Sequence, residues 1–111
     1  MSAIHSELEK GRWFEMTLLE QLGNVGSEIG RAAKWKNKNQ KIYEGAVFRA
    51  LDLMQLTIAD SKHRNRLHEL TRANEMIGAA FYEEKSANET FEKLEKYFNQ
   101  FAVAAQMQKG K

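Results

Sequence analysis

The residues best equipped for chemistry sit in the stretch RAAKWKNKNQK. It gathers Arg31, Lys34, Lys36, Lys38 and Lys41 around Trp35, with no acidic residue between Glu28 and Glu44. Lysine and arginine neutralise phosphates, and an aromatic ring beside them can stack a base. The pattern therefore suits a polyanion such as RNA, although a solvated joint between two helices has the same composition. A second basic cluster, Lys62, Arg64 and Arg66, surrounds His63. At a helix N-terminus such cations oppose the helix dipole, so they are expected to be there for another reason, and Lys62, Arg64 and Arg66 join the first stretch as candidate nucleic-acid contacts.

The segment LGNVGSEIGRAAKW places Gly23, Gly26 and Gly30 within one short run. A P-loop requires Gly-Lys-Ser/Thr after its spacer, and a dinucleotide fingerprint requires G-x-G-x-x-G after a strand. Neither occurs here. Leu22, Val25 and Ile29 keep helical phase through the glycines, so the three lie inside a helix and form a bare flank. Each glycine costs about 1 kcal/mol relative to alanine in a helix interior, and close packing is the expected compensation. Three uses stand: packing within the chain, packing against a second copy, or a ligand-binding glycine loop. Phe48 and Leu56, expected on the back of the second helix beside Asp52, join Gly23, Gly26 and Gly30 as candidate interface residues.

Other chemistries find little support. The chain has no cysteine, which removes disulfides and thiolate zinc sites. His63 and His68 are not spaced i, i+4, and no Glu-x-x-His occurs, so neither a metal site nor a di-iron bundle site is expected. No serine stands in a patterned relation to a histidine and an acid, so no catalytic residue is assigned. Asn74 interrupts an apolar repeat, where a paired amide can set register or oligomeric state.

These residues must be positioned by helices. Spacings of three and four recur throughout, and alternating strand patterns are missing. Four segments are expected, at about 13–35, 41–59, 61–84 and 88–106. Their inner stripes are Phe14, Leu18, Leu22, Val25 and Ile29; then Tyr43, Val47, Ala50, Leu51, Met54 and Ile58; then Leu67, Leu70, Asn74, Ile77 and Phe81; then Phe91, Leu94, Phe98, Phe101 and Ala105. Ser6-x-x-Glu9 and Ser86-x-x-Glu89 are candidate capping boxes, and Asp60 or Ser61 can cap the third segment. The absence of proline fits long helices with short joints. Residues 1–111 are thus expected to form one all-α domain, an antiparallel up-down-up-down four-helix bundle. In that topology the basic first joint would lie beside an acidic third joint containing Glu83, Glu84, Glu89, Glu92 and Glu95.

The 42% hydrophobic and 29% charged residues are an ordinary globular balance rather than a disordered one. No apolar run approaches the ~20 residues that span a bilayer. The N-terminus lacks the features of a signal peptide, and a cytoplasmic location is expected. The net charge of +2 is too small to demand a nucleic-acid partner, so distribution decides.

A short four-helix chain with a basic first joint resembles the bundle proteins of the 23S rRNA intervening-sequence type and the related accessory variability proteins of diversity-generating retroelements. That resemblance is architectural, and it implies an oligomeric bundle that binds nucleic acid. GNVGSEIGRAAKWK, RALDLMQLTIAD and KYFNQFAVAA also look like a group of small prokaryotic proteins with no assigned activity. No functional residue transfers from either group.

The expected function is that of a non-enzymatic, self-associating accessory protein. It would bind RNA or a nucleoprotein partner through the first joint, without cofactor, metal, membrane or small-molecule substrate. One alternative is a protein-only oligomeric scaffold. Another is a divergent ribonuclease of the HEPN type using Arg64 or Arg66 with His68, although the spacing in RNRLH does not match that motif.

Overall fold

The computed structural model describes residues 7–83 and 90–109, with the side-chain surroundings of 11–83 and 90–109. Five α-helices account for nearly all of them: α1 (Glu7–Phe14), α2 (Leu18–Trp35), α3 (Gln40–Ala59), α4 (Leu67–Tyr82) and α5 (Phe91–Lys109). A 3-10 segment, Ser61–Arg66, joins α3 to α4. The described residues include no strand. The radius of gyration, 13.8 Å, is close to the ~13 Å of a compact chain of this length, so the helices form one body.

The first expected helix is in fact two. The break falls where Thr17 accepts a hydrogen bond from Glu20 N (3.2 Å) and the Glu20 carboxylate accepts one from Thr17 N (2.9 Å). This capping box starts α2 afresh. It also resets the phase: Trp13 turns inward, whereas Phe14, expected on the inner stripe, is exposed. The box expected at Ser6-x-x-Glu9 depends on a residue outside those described, and Ser86-x-x-Glu89 lies wholly outside them.

The third expected helix also divides. Asp60 accepts from Lys62 N (3.1 Å) and caps a 3-10 turn rather than an α-helix. The α-helical part begins only at Leu67, whose side chain is exposed. Lys62, Arg64 and Arg66 therefore precede the α-helix instead of occupying its first turn.

Helix α2 packs against α3 and α5, while α4 borders α3 and α5. Their shared core contains Val25, Ile29, Val47, Met54, Ile77, Phe91 and Phe98, none of which is exposed to solvent.

The glycine flank of α2 is covered by this chain's own α5. A Cβ added at Gly23 would lie 3.2 Å from the Ala102 backbone, and one at Gly26 only 2.9 Å from Phe98 Cβ. One at Gly30 would lie 2.8 Å from a carboxylate oxygen of Glu95. Positions rise along α2 as they fall along α5, so the two helices run in opposite directions. Without the glycines the backbones could not approach this closely, and Phe91, Leu94 and Phe98 would not reach the core together.

Leu56 is likewise not on the back of α3. It is buried in the core, next to Thr57, whose hydroxyl accepts a hydrogen bond from Trp13 Nε1 of α1. Phe48 does project outward and is exposed.

The contacts grade the glycines. Gly45, inside α3 with open space around it, should raise the melting temperature as Gly45→Ala, because about 1 kcal/mol of helix propensity is gained without a clash. Gly26→Val should lower stability by about 2 kcal/mol, since Phe98 Cβ sits close to its own backbone and cannot rotate away. Gly30→Ala should be well tolerated, because only the far end of a flexible glutamate must move. Thermal melts of the three variants check this order.

Candidate nucleic-acid interface

The basic stretch forms the C-terminal turn of α2, the joint, and the start of α3. Lys38 N and Asn39 N both donate to Trp35 O, at 3.0 Å each, which closes the joint. Asn39 then caps α3 by accepting from Ile42 N at 3.1 Å. The joint needs no left-handed residue, which fits its lack of glycine. Arg31, Lys34, Lys38 and Lys41 are exposed, while Trp35 and Lys36 are half-buried. Lys34 lies in the last turn of α2, where a cation favours the helix dipole. Its ammonium also stands 5.5 Å from the centre of the Trp35 ring, within cation–π range.

Two concavities flank the joint. A cleft of about 480 Å³ runs between α2 and α5, floored by Gly23, Gly26 and Gly30 and walled by Arg31, Lys34, Trp35, Glu95 and Asn99. On the other side, a pocket of about 400 Å³ is lined by Lys36, Asn37, Gln40, Tyr43, Phe81 and Tyr82. The joint therefore shares its end of the molecule with the end of α4 and the start of α5.

Acidic residues do approach the joint. Glu95 reaches into the cleft beside Arg31 and Lys34, whereas Glu84 and Glu89 lie outside the described residues. Glu28 stands 3.7 Å from Arg31 Nε and 3.6 Å from Arg49 Nε. One of its carboxylate oxygens is buried without a hydrogen bond, so ion pairing alone holds that side. The Arg31 side chain remains 59% exposed despite this pair.

The second basic cluster is at the opposite end and is largely committed. Lys62 Nζ donates to Phe14 O (2.7 Å) and pairs with Asp60. The Arg66 guanidinium donates twice to Glu69 Oε1, at 2.9 and 2.7 Å. Arg64 and His68 are exposed. The described residues contain no group of three metal-ligating side chains and no helix long and apolar enough to cross a membrane.

Around Lys62 lies a polar cluster that sequence reasoning missed. Gln21, Thr57, Asp60 and His63 are all buried, together with Trp13. Gln21 Nε2 donates to Trp13 O (2.8 Å) and to Asp60 Oδ2 (3.0 Å). Both of those partners are acceptors, so Gln21 Oε1 faces His63 Nε2 at 2.7 Å, and the histidine donates from that nitrogen. Trp13 Nε1 donates to Thr57 Oγ1 (3.1 Å), whose hydroxyl bonds Leu53 O. The cluster ties α1, α2, α3 and the 3-10 segment together. Its one legible signal is Gln21, a polar residue directly beside the core position Leu22.

Burial lowers the His63 pKa below 6.5; Asp60 opposes that shift, and Lys62 and Arg66 reinforce it. Burial pushes the Asp60 carboxyl up, but hydrogen bonds from Lys62 and Gln21 and the charge of His63 together hold it below 3.8. Asn74 is half-buried with an unpaired side-chain oxygen, so the paired amide expected there is not found.

Comparison of the chain with known protein families, with curated proteins and with solved structures finds no match.

The His63 shift has a definite sign. Well above pH 6.5 histidine is neutral folded and unfolded alike, and the stabilisation is complete. As the pH falls below 6.5 the unfolded chain takes up a proton that the folded chain resists, so stability declines towards the folded pKa. Asp60 adds a similar loss below pH 3.8. Melting temperatures should therefore drop between pH 7 and 5. His63→Gln should melt lower at pH 7 but lose that slope; an unchanged slope would place the acid sensitivity elsewhere.

Proposed function

We propose that the chain is a non-enzymatic accessory protein that binds RNA, or a partner carrying RNA, at the α2–α3 joint. One observation carries this: Arg31, Lys34, Lys38 and Lys41 are exposed together beside Trp35, with recesses on both sides. Lys38 and Lys41, exposed on a short, well-capped turn, can meet successive phosphates, whereas Arg31 already shares its charge with Glu28. Lys62 and Arg66, by contrast, would have to give up partners within the chain. The ring of neighbours α2–α3–α4–α5 supports an antiparallel four-helix bundle as the scaffold, with α1 as an added clasp. Glu95 makes the cleft charge-mixed, so phosphate contact belongs to the joint and the start of α3 rather than to the cleft floor.

Self-association remains part of the proposal, but through surfaces other than the glycine flank and Leu56, which this chain itself occupies.

Fluorescence anisotropy with a labelled RNA should show binding that weakens steeply with added salt, as counterion release requires. Reversing Lys34, Lys38 and Lys41 to Glu should abolish it with little change in melting temperature. Arg64→Glu, at the far end, should leave it intact. Undiminished binding by the triple variant would remove the joint as the interface.

A further inference from the structure

Resting on the RNA assignment above, we propose that the joint end holds an unpaired stretch of RNA rather than a duplex. One base would stack on Tyr82, with the neighbouring phosphates on Lys38 and Lys41. Tyr82 closes α4 and is 69% exposed, the most exposed of the large hydrophobic side chains among the described residues. Its ring meets Phe81 edge to face, with centroids 4.8 Å apart and planes at 75°. Phe81 in turn meets Phe48 at 5.4 Å and 77°, and Tyr43 at 5.7 Å. A buried ring, Tyr43, thus anchors a row of aromatic groups that ends in two exposed ones, Phe48 and Tyr82.

This row borders the basic joint. Lys36 and Asn37 line the same pocket as Phe81 and Tyr82, and its volume of about 400 Å³ falls within the ~300–1,000 Å³ range of small-ligand sites. The exposed Asn37 amide carries both a donor and an acceptor, which can address the hydrogen-bonding edge of a base. An anchored ring loses little freedom on stacking, and every base has a face to offer it. In a duplex those faces are hidden within the stack, and only the backbone would reach the rings. An exposed ring that shares a pocket with Lys36 and Asn37 of the basic joint therefore favours an unpaired strand. A second copy of this chain would bring its own lysines against Lys38 and Lys41.

The test compares a labelled 12-nucleotide single-stranded RNA with a duplex of the same sequence, by anisotropy at fixed low salt. Wild type should bind the single strand about ten-fold more tightly than the duplex. Tyr82→Ala should erase most of that preference without altering duplex binding, and Tyr82→Phe, which keeps the ring face, should retain it. Equal affinity for both forms, lost in the Lys34, Lys38 and Lys41 reversal, would overturn the preference for unpaired RNA while leaving RNA binding standing. An undiminished preference in Tyr82→Ala would overturn the stacking site. No binding to either form would overturn both proposals. Light scattering adds a separate arm: a dimer that Tyr82→Ala dissociates, with RNA affinity unmoved, would assign the rings to a second copy.

Discussion

The close approach of α2 and α5 at Gly26 and Phe98 sets the geometry of the rest of the chain. A helix accepts interior glycines only at a cost, and three in one helix demand a return. Here the return is that α5 lies almost against the α2 backbone, which carries Phe91, Leu94 and Phe98 fully into the core. One turn further on, the Glu95 carboxylate at the start of α5 reaches over Gly30 near the end of α2. That places Glu95, Arg31, Lys34 and Trp35 around one cleft.

The two ends of the molecule differ in kind. At one, Trp13, Gln21, Thr57, Asp60 and His63 form a closed, mutually satisfied polar cluster, and Lys62 is drawn into it. Buried groups paired in this way are costly to separate, and they clasp the short α1 to the other helices. At the other end the cations face outward, and the aromatic residues above the core run out to the surface at Tyr82 and Phe48. The buried, paired end ties the helices together; the other end leaves charge and ring faces exposed.

This contrast sorts the two basic clusters, which look alike as strings of lysine and arginine. The joint of α2 and α3 is a tight turn held by backbone bonds to Trp35 O and by the Asn39 cap, with Lys34, Lys38 and Lys41 exposed around it. The 3-10 segment between α3 and α4 relies on Asp60, and Asp60 requires a cation and amide donors nearby.

Much of the helical architecture was legible in the sequence, because apolar residues three and four apart can be buried along one helix face. The stripe Leu22, Val25, Ile29 and the stripe Phe91, Leu94, Phe98 are both in the core. The failed phosphate-loop spacing correctly kept Gly23, Gly26 and Gly30 inside a helix. The break after Phe14 was legible in principle, since Thr17-x-x-Glu20 has the pattern of a capping box, but the stripe from Phe14 through Leu18 to Ile29 pointed to one continuous helix. Other features belonged to tertiary structure alone. Periodicity says which residues face inward but not which helix they meet, so whether the glycine flank takes α5 or a second copy was open. Leu56 lies off the apolar stripe of α3 and its burial is made by tertiary packing, and the pairing of Gln21 with His63 joins residues far apart in the chain. The exposure of Tyr82 beside Lys36 likewise arises only when α4 returns to the joint. Local patterns are set by neighbours in sequence, and a site is made by neighbours in space.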